Sequence, residues 1–122
     1  MRPISVLNVG SKDITNINRR VLEIPEERFQ FASDGMMALD ILANSERLPD
    51  LIIISNFEMP VINGRALSQR IKTDERYSEI PILITHDVED DYKEVLKHNG
   101  VYYLTKPYET SKFKKLVNDI VR

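Results

Sequence analysis

The sequence predicts a doubly wound α/β domain in which one five-stranded parallel sheet lies between two layers of helices. Short apolar runs alternate with amphipathic stretches along the whole chain, which gives five β–α units in succession. Several runs are apolar at consecutive positions, a pattern typical of parallel strands that are covered on both faces. The length of 122 residues fits one domain, residues 1–122, and leaves no room for a second.

The apolar runs are the predicted strands. Right-handed crossovers between them place helices on both sides of the sheet. The runs are Ile4–Val9, Phe29–Ala32, Leu51–Ile54, Ile80–Thr85 and Val101–Thr105.

Apolar residues that recur on one helical face predict a helix after each strand. The turn signals Ser33-Asp34-Gly35 and Asn63-Gly64 open the second and third helices, and Gly100 is placed to end the fourth. We interpret all five apolar faces as core packing. In chain order they are formed by Ile14, Ile17, Val21 and Leu22; by Ala38, Leu39 and Leu42; by Leu67 and Ile71; by Val88, Tyr92, Val95 and Leu96; and by Phe113, Leu116, Val117, Ile120 and Val121.

Composition argues against several classes of function. The net charge is −2, so no overall basic field attracts nucleic acid or anionic lipid. The chain has no cysteine, which rules out disulfides, thiolate chemistry and cysteine-based metal sites. No run approaches the roughly 20 apolar residues that a membrane helix needs, and the first apolar run is too short for a signal peptide. We therefore expect a cytoplasmic protein with no membrane contact.

Sites in doubly wound sheets form at the carboxyl ends of the strands, near the point where the strand order reverses. The residues after strands one, three, four and five are therefore the candidates. They are Asn8 to Ser11, Ser55 to Pro60, Thr85 to Asp87, and Thr105 to Pro107. These segments offer amides, hydroxyls and one lysine, but the chain shows no glycine-rich phosphate loop and no Ser/His/Asp spacing. We expect no enzymatic activity.

Three motifs, in order along the chain, carry a family resemblance. Pro49–Pro60, with Asn63-Gly64 after it, resembles the stretch around the phosphoacceptor of response-regulator receiver domains, the CheY-like family. Phe31–Gly35 is similar to that family's second strand and helix start, and Tyr103–Tyr108 to the end of its fifth strand. The resemblance covers essentially the whole chain. It implies a flavodoxin-like three-layer sandwich of strand order 2-1-3-4-5 and a role in two-component phosphorelay signalling.

The same resemblance shows where this sequence departs from the family. Asn56 stands where the family has its phosphoacceptor aspartate, and Val9 and Gly10 stand where it has an acidic pair that helps to hold Mg²⁺. An amide is not a competent nucleophile for phosphoryl transfer, and a hard cation needs several oxygen ligands. We therefore expect a degenerate receiver with no phosphorylation at the usual site, no Mg²⁺ and no other cofactor.

Lys106 matches the lysine that contacts the acceptor in the family. An inward-pointing ammonium needs a partner, and we predict that it donates a hydrogen bond to Asn56 Oδ1, with help from Glu58. The alternative is a lysine whose stem packs on the strand end and whose charge reaches solvent. The resemblance also implies a cis peptide bond between Lys106 and Pro107.

The switch hydroxyl of the family falls on Thr85 or on His86, depending on the direction of counting. We prefer Thr85 because it keeps the hydroxyl, and we interpret His86 as a surface loop residue. Neighbouring strand residues point to opposite faces, so only one of them can serve. Tyr103 matches the aromatic switch position, although we favour core packing as its role.

Without phosphorylation, a binding surface remains. Receivers commonly use the face made by the fourth helix, the fifth strand and the last helix, so we expect a protein partner there, or a second copy of this chain. On this face we single out Lys93, Lys97, Tyr102 and Lys112. Exposed aromatics are enriched at interface hot spots, which makes Tyr102 the residue to test.

Three other functions stay open. An ordinary phosphorelay receiver could use another acceptor, and Asp13 and Asp87 are the nearest in sequence. A small-ligand-binding domain on a flavodoxin-like fold is compatible with the topology. Nucleic-acid binding through the lysine-bearing face is disfavoured by the net charge.

Overall fold

A computed structural model of the protein describes residues 4–56, 59, 61–87 and 100–122. The strands are β1 (Val6–Val9), β2 (Phe29–Ala32), β3 (Leu51–Ile54), β4 (Ile82–His86) and β5 (Val101–Thr105). The helices within these residues are α1 (Lys12–Leu22), α2 (Gly35–Ala43), α3 (Gly64–Lys72) and α4 (Thr110–Val121). The fourth predicted helix falls between 88 and 99, outside the described residues, so α4 is the last predicted helix.

All five strands are parallel, and their order in the sheet is β2-β1-β3-β4-β5. The predicted doubly wound fold and its strand order are confirmed. Val9 pairs with Ile54, so β1 and β3 end level with each other at the same edge of the sheet. The order of the strands reverses between β1 and β3, which is where sites form in sheets of this kind.

The consecutive apolar residues of β3 supply two cores, one on each face of the sheet. Ile52 and Ile54 pack in the cluster that includes residues of α2 and α3. Leu51 and Ile53 pack in the cluster that includes residues of α1 and α4. Alternate residues of a strand point to opposite faces, so a strand covered by helices on both sides needs an apolar residue at every position.

The predicted turn signals become helix N-caps. The Asp34 side chain accepts a hydrogen bond from the Met37 backbone N–H at 2.9 Å, and the Asn63 side chain accepts one from the Ala66 N–H at 2.9 Å. Such caps satisfy one of the free N–H groups in the first helical turn. The starting points of α2 and α3 therefore follow from local sequence.

Within the part of the chain that the structure describes, no helix has both the length and the apolar character of a membrane span.

Candidate functional site

The carboxyl ends of β1 and β3 hold a buried group of polar side chains. Asn8 is fully buried although it stands inside an apolar strand. Its Nδ2 donates to Thr15 Oγ1 at 2.9 Å and to Ser55 Oγ at 3.0 Å. Its Oδ1 accepts from Asn18 Nδ2 at 2.9 Å. We call these four residues, Asn8, Thr15, Asn18 and Ser55, the Asn8 cluster.

In the Asn8 cluster, each hydroxyl that accepts a hydrogen bond from the Asn8 amide donates its own proton to a backbone carbonyl. The Thr15 hydroxyl donates to the Ser11 carbonyl at 2.8 Å, and the Ser55 hydroxyl donates to the Val9 carbonyl at 3.2 Å. Both hydroxyl protons are therefore committed, and both hydroxyl oxygens accept from the Asn8 amide. The cluster is neutral and its donors are paired, which removes most of the cost of burying it.

Val9 and Gly10 lie beside this cluster at the end of β1. The Val9 side chain is fully buried in the apolar core with Ile54, so it points away from the polar residues. Gly10 packs so closely that a Cβ on it would lie 2.3 Å from Ser55 Oγ. This backbone therefore has no room for a side chain at position 10 while the Ser55 hydroxyl stays in place.

Among the described residues at this edge, the Asn8 cluster offers a hard divalent cation only neutral oxygens. The oxygens of Asn8, Thr15 and Ser55 already take part in internal hydrogen bonds. No group of three or more His, Cys, Asp or Glu side chains that could hold a metal occurs among the described residues. A cation such as Mg²⁺ is held by carboxylates, carbonyls and water, and the Asn8 cluster supplies no charge to offset the loss of the hydration shell.

Lys106 makes a different contact from the one predicted. Its Nζ donates to the backbone carbonyl of Ser55 at 3.1 Å, not to the side chain of Asn56, which is exposed. Ser55 directly follows β3, so its backbone carbonyl has a fixed direction. The exposed Asn56 amide can form its hydrogen bonds with water, and it does not have to be fixed in one conformation to do so. The predicted contact with Asn56 is therefore wrong. Glu58 lies outside the described residues.

The peptide bond between Lys106 and Pro107 is cis, as the resemblance implied.

His86 is the last residue of β4 and is only 1% exposed, so the surface-loop interpretation is wrong. Its Nδ1 lies 3.0 Å from the Asp87 carbonyl oxygen, and its Nε2 lies 3.4 Å from Thr105 Oγ1. A carbonyl can only accept, so in the neutral ring Nδ1 carries the hydrogen and Nε2 accepts from Thr105. The ring also meets Tyr103 edge-on, with centroids 6.1 Å apart.

Thr85 points to the opposite face of the sheet. It is fully buried, and among the described residues its Oγ1 makes no hydrogen bond of standard geometry. Burial raises the pKa of Tyr108, and a weaker interaction with the Thr85 hydroxyl opposes part of that rise. The Tyr108 ring in turn stacks on Phe113 of α4 at 5.6 Å. Of the two candidate positions, His86 therefore shares the face of Tyr103.

Tyr103 is partly buried against the core that includes residues of α2 and α3. Burial raises the pKa of its hydroxyl well above the usual range. Because Ile84 pairs with Tyr103 and His86 pairs with Thr105, the aromatic ring and the imidazole lie on one side of the sheet. The predicted core-packing role of Tyr103 agrees with these contacts.

The sequence pattern of the response regulator receiver domain family matches residues 11–118. The chain belongs to this family. The receiver is 28% identical over 99 residues to the probable methanogenesis regulatory protein FilR2 of Methanothrix harundinacea. It is 25% identical over 92 residues to a chemotaxis protein CheY homolog of Campylobacter jejuni. These matches cover 76% and 74% of this receiver, and 63% and 69% of the two relatives.

The fold of the receiver is also similar to that of a putative response regulator from Chloroflexus aurantiacus. The two superpose with a TM-score of 0.75 at 25% identity, and the alignment covers 98% of each chain.

The predicted partner surface of the receiver is described only in part. Tyr102 of β5 is 38% exposed, and Lys112 is exposed in the first turn of α4. Lys93 and Lys97 lie outside the described residues. A shallow groove of about 410 Å³ lies between β5 and α4. It is lined by Tyr103, Leu104, Thr105, Lys112, Lys115, Leu116 and Asp119.

Proposed function

We propose that this receiver domain is a phosphorylation-independent protein–protein interaction module of a two-component signalling system. The observation that carries the proposal is the strand-end site. Asn56 offers an amide where phosphoryl transfer needs a carboxylate nucleophile. The Asn8 cluster fills the buried part of the site with neutral hydrogen bonds. A site built in this way supports binding by shape, not a switch driven by phosphate.

The position of Lys106 supports the same conclusion. Phosphoryl transfer needs positive charge that is directed at the transferring group. Here the ammonium of the partly exposed Lys106 donates to the Ser55 carbonyl at 3.1 Å. Its charge therefore helps to hold β3 and β5 together at this edge.

The proposed docking face includes β5 and α4. β5 is an edge strand of the sheet, and edge strands leave backbone groups free to pair with another chain. The adjacent groove joins apolar side chains, including Leu104 and Leu116, to the basic Lys112 and to Lys115, which pairs with Asp119 at 3.2 Å. These features favour a protein partner with apolar and acidic groups, or a second copy of this chain. A cytoplasmic location and the lack of a cofactor are part of the proposal.

Intact mass tests whether phosphate is involved. The wild-type protein is incubated with Mg²⁺ and acetyl phosphate, beside a receiver known to be labelled under these conditions. We expect the mass of this protein to stay unchanged. A stoichiometric adduct that maps to the strand-end site would refute the proposal. An adduct on Asp13 or Asp87, both exposed, would establish an ordinary receiver with a displaced acceptor.

A variant that restores a carboxylate at position 56 also tests whether the site can be phosphorylated. Asn56→Asp supplies the carboxylate but leaves Val9 and Gly10 without charge. We expect no efficient Mg²⁺-dependent labelling of this single variant. Efficient labelling would show that the cation can be held without an acidic pair after β1.

A surface pair tests the docking face. Tyr102→Ala is compared with Leu48→Ala, because both side chains are 38% exposed and Leu48 lies in the loop before β3. Each variant is tested by affinity capture against the partner that the wild type captures, and for self-association by light scattering. We expect Tyr102→Ala to weaken the interaction at least tenfold and Leu48→Ala to leave it unchanged. Equal binding by both variants would move the interface away from β5.

A further inference from the structure

The Asn8 cluster requires an amide at position 8. Asn8 donates two hydrogen bonds and accepts one, and each has a named partner. A carboxylate of the same shape could accept from Asn18 but could not donate to Thr15 or Ser55. An apolar side chain would remove the acceptor of the Asn18 amide and one hydrogen bond from each of the Thr15 and Ser55 hydroxyls. Residue 8 must therefore both donate and accept hydrogen bonds, and a side chain of the same volume is not sufficient.

The position of the Ser55 hydroxyl follows from this amide. Ser55 Oγ is held between Asn8 Nδ2 at 3.0 Å and the Val9 carbonyl at 3.2 Å. In that position it takes the space that a Cβ at Gly10 would need, and the next atoms around that space lie 3.5 Å away. The hydroxyl is the nearest atom to that space, the Asn8 amide holds it there, and the backbone angle of Gly10, with φ of 157°, adds a separate cost to any side chain.

We infer that Asn8 is a positioning residue that closes the strand-end site, because it pins the Ser55 hydroxyl beside Gly10 and ties α1 to the ends of β1 and β3 without any charge. This inference deepens the proposed function and depends on it in one respect, namely that the site no longer takes a phosphoryl group or a cation. The closed arrangement is built from this chain's own side chains. It needs neither a ligand nor a metal to persist.

The first test is the pH profile of Asn8→Asp, measured by thermal unfolding in buffer with EDTA and without any phosphodonor. A buried carboxylate has a folded pKa above its unfolded value of roughly 3.9, so stability is present below that value and is lost as pH rises through the folded pKa. We expect a midpoint about 10 °C below wild type at pH 7.5 and a deficit that shrinks toward pH 4.5. The matched control is Asn118→Asp, an exposed position on α4, for which we expect no such recovery.

The second test is a double-mutant cycle, which keeps the inference testable if Asn8→Asp does not fold at neutral pH. Gly10→Ala is made in three backgrounds, namely wild type, Ser55→Ala and Thr15→Val. Ser55→Ala removes the blocking oxygen, whereas Thr15→Val removes a partner of Asn8 but leaves that oxygen in place. We expect Gly10→Ala to lower the midpoint by about 5–15 °C in wild type and in Thr15→Val, and by less than half as much in Ser55→Ala.

Each measurement has a result that overturns the inference. A pH-independent deficit of Asn8→Asp would mean that the direction of the hydrogen bonds is not what selects the amide. Equal drops for Gly10→Ala in all three backgrounds would mean that the backbone angle of Gly10, with φ of 157°, and not the Ser55 hydroxyl, excludes a side chain. Neither result depends on a partner or on phosphate, so a failure here is distinct from a failure of the mass and capture experiments.

Discussion

The strand-end edge of this receiver has two halves with opposite character. In the β1–β3 half, the Asn8 cluster contains no titratable side chain, and its donors are paired at 2.8–3.2 Å. In the β4–β5 half, His86 makes a long contact of 3.4 Å with Thr105, and the buried Thr85 hydroxyl has no hydrogen bond of standard geometry among the described residues. The first half is closed and neutral, and the second keeps aromatic and ionisable groups.

The difference shows that the two halves satisfy their buried polar groups in different ways. In the β1–β3 half, amides and hydroxyls supply both donors and acceptors to one another. The β4–β5 half instead presents an imidazole and a phenol whose ring centroids lie 6.1 Å apart. We therefore expect mutations in the first half to act on stability, and those in the second to act weakly or through pH.

The largest expected difference in the free energy of unfolding is between Asn8→Leu and His86→Leu. Asn8→Leu leaves the Asn18 amide and two hydroxyls without their partner, and we expect a loss of about 2–4 kcal/mol in the free energy of unfolding. His86→Leu keeps the volume and loses one contact of 3.0 Å with the Asp87 carbonyl and one of 3.4 Å with Thr105, so we expect a smaller loss of about 1 kcal/mol. Urea denaturation measures both. Equal losses would contradict the contrast between the halves.

The same substitution made in each half gives the next largest difference. Thr15→Val removes an acceptor of Asn8 and should cost about 1–2 kcal/mol. Thr85→Val removes a buried hydroxyl without a standard hydrogen bond, so the stability should change by less than about 0.5 kcal/mol or increase. Both variants keep the side-chain shape. If Thr85→Val proved the more damaging of the two, the interaction between the Thr85 hydroxyl and Tyr108 would be stronger than its geometry indicates.

Alkaline pH should lower the free energy of unfolding through the β4–β5 half and not through the Asn8 cluster. Burial raises the pKa of Tyr103 above its usual value of about 10, so the unfolded state loses its proton first. The stability contributed by the neutral phenol is therefore present below pH 10 and declines as the pH rises above it, by less than about 1.4 kcal/mol per pH unit for a partly exposed ring. Tyr103→Phe should flatten the decline between pH 9 and 11 in urea titrations, and Tyr108→Phe should flatten it less. A slope that neither variant alters would assign the effect to other groups.

The smallest expected effect belongs to the contact that joins the two halves. Lys106→Met removes the ammonium from the Ser55 carbonyl but keeps the apolar stem. Since the side chain is partly exposed, we expect a loss of about 0.5–1 kcal/mol. Lys114→Met, at an exposed position on α4, is the control and should stay near zero. A much larger loss for Lys106 would place its charge in a drier environment than this geometry indicates.

Much of the fold could be predicted because its signals are local or periodic. The apolar runs located all five strands, and Asp34 and Asn63 marked the residues where α2 and α3 begin. The site was harder to predict. The partner of Lys106 was missed because an ammonium can donate to a backbone carbonyl as well as to a side chain. Only the position of the Ser55 carbonyl in the structure decides between the two.

Two further features were missed, and one of them left a signal. Asn8 interrupts an apolar strand, and Thr15 and Asn18, three residues apart, interrupt the buried side of α1; together they indicate a polar contact between that helix and the sheet. The burial of His86 left no such signal, because it depends on β4 running one residue further than predicted and pairing with Thr105.

By itself, the sequence determined that this chain is a receiver of parallel, doubly wound topology. Hydrophobic periodicity and motif spacing carry that information, and both are read along the chain. Only the tertiary structure decided that Asn8, Thr15, Asn18 and Ser55 form one directed hydrogen-bond cluster, and that His86 and not Thr85 faces Tyr103. Those outcomes depend on which atoms of distant segments come close to each other. The packing of α1 on the sheet and the pairing of β5 with β4 set those distances.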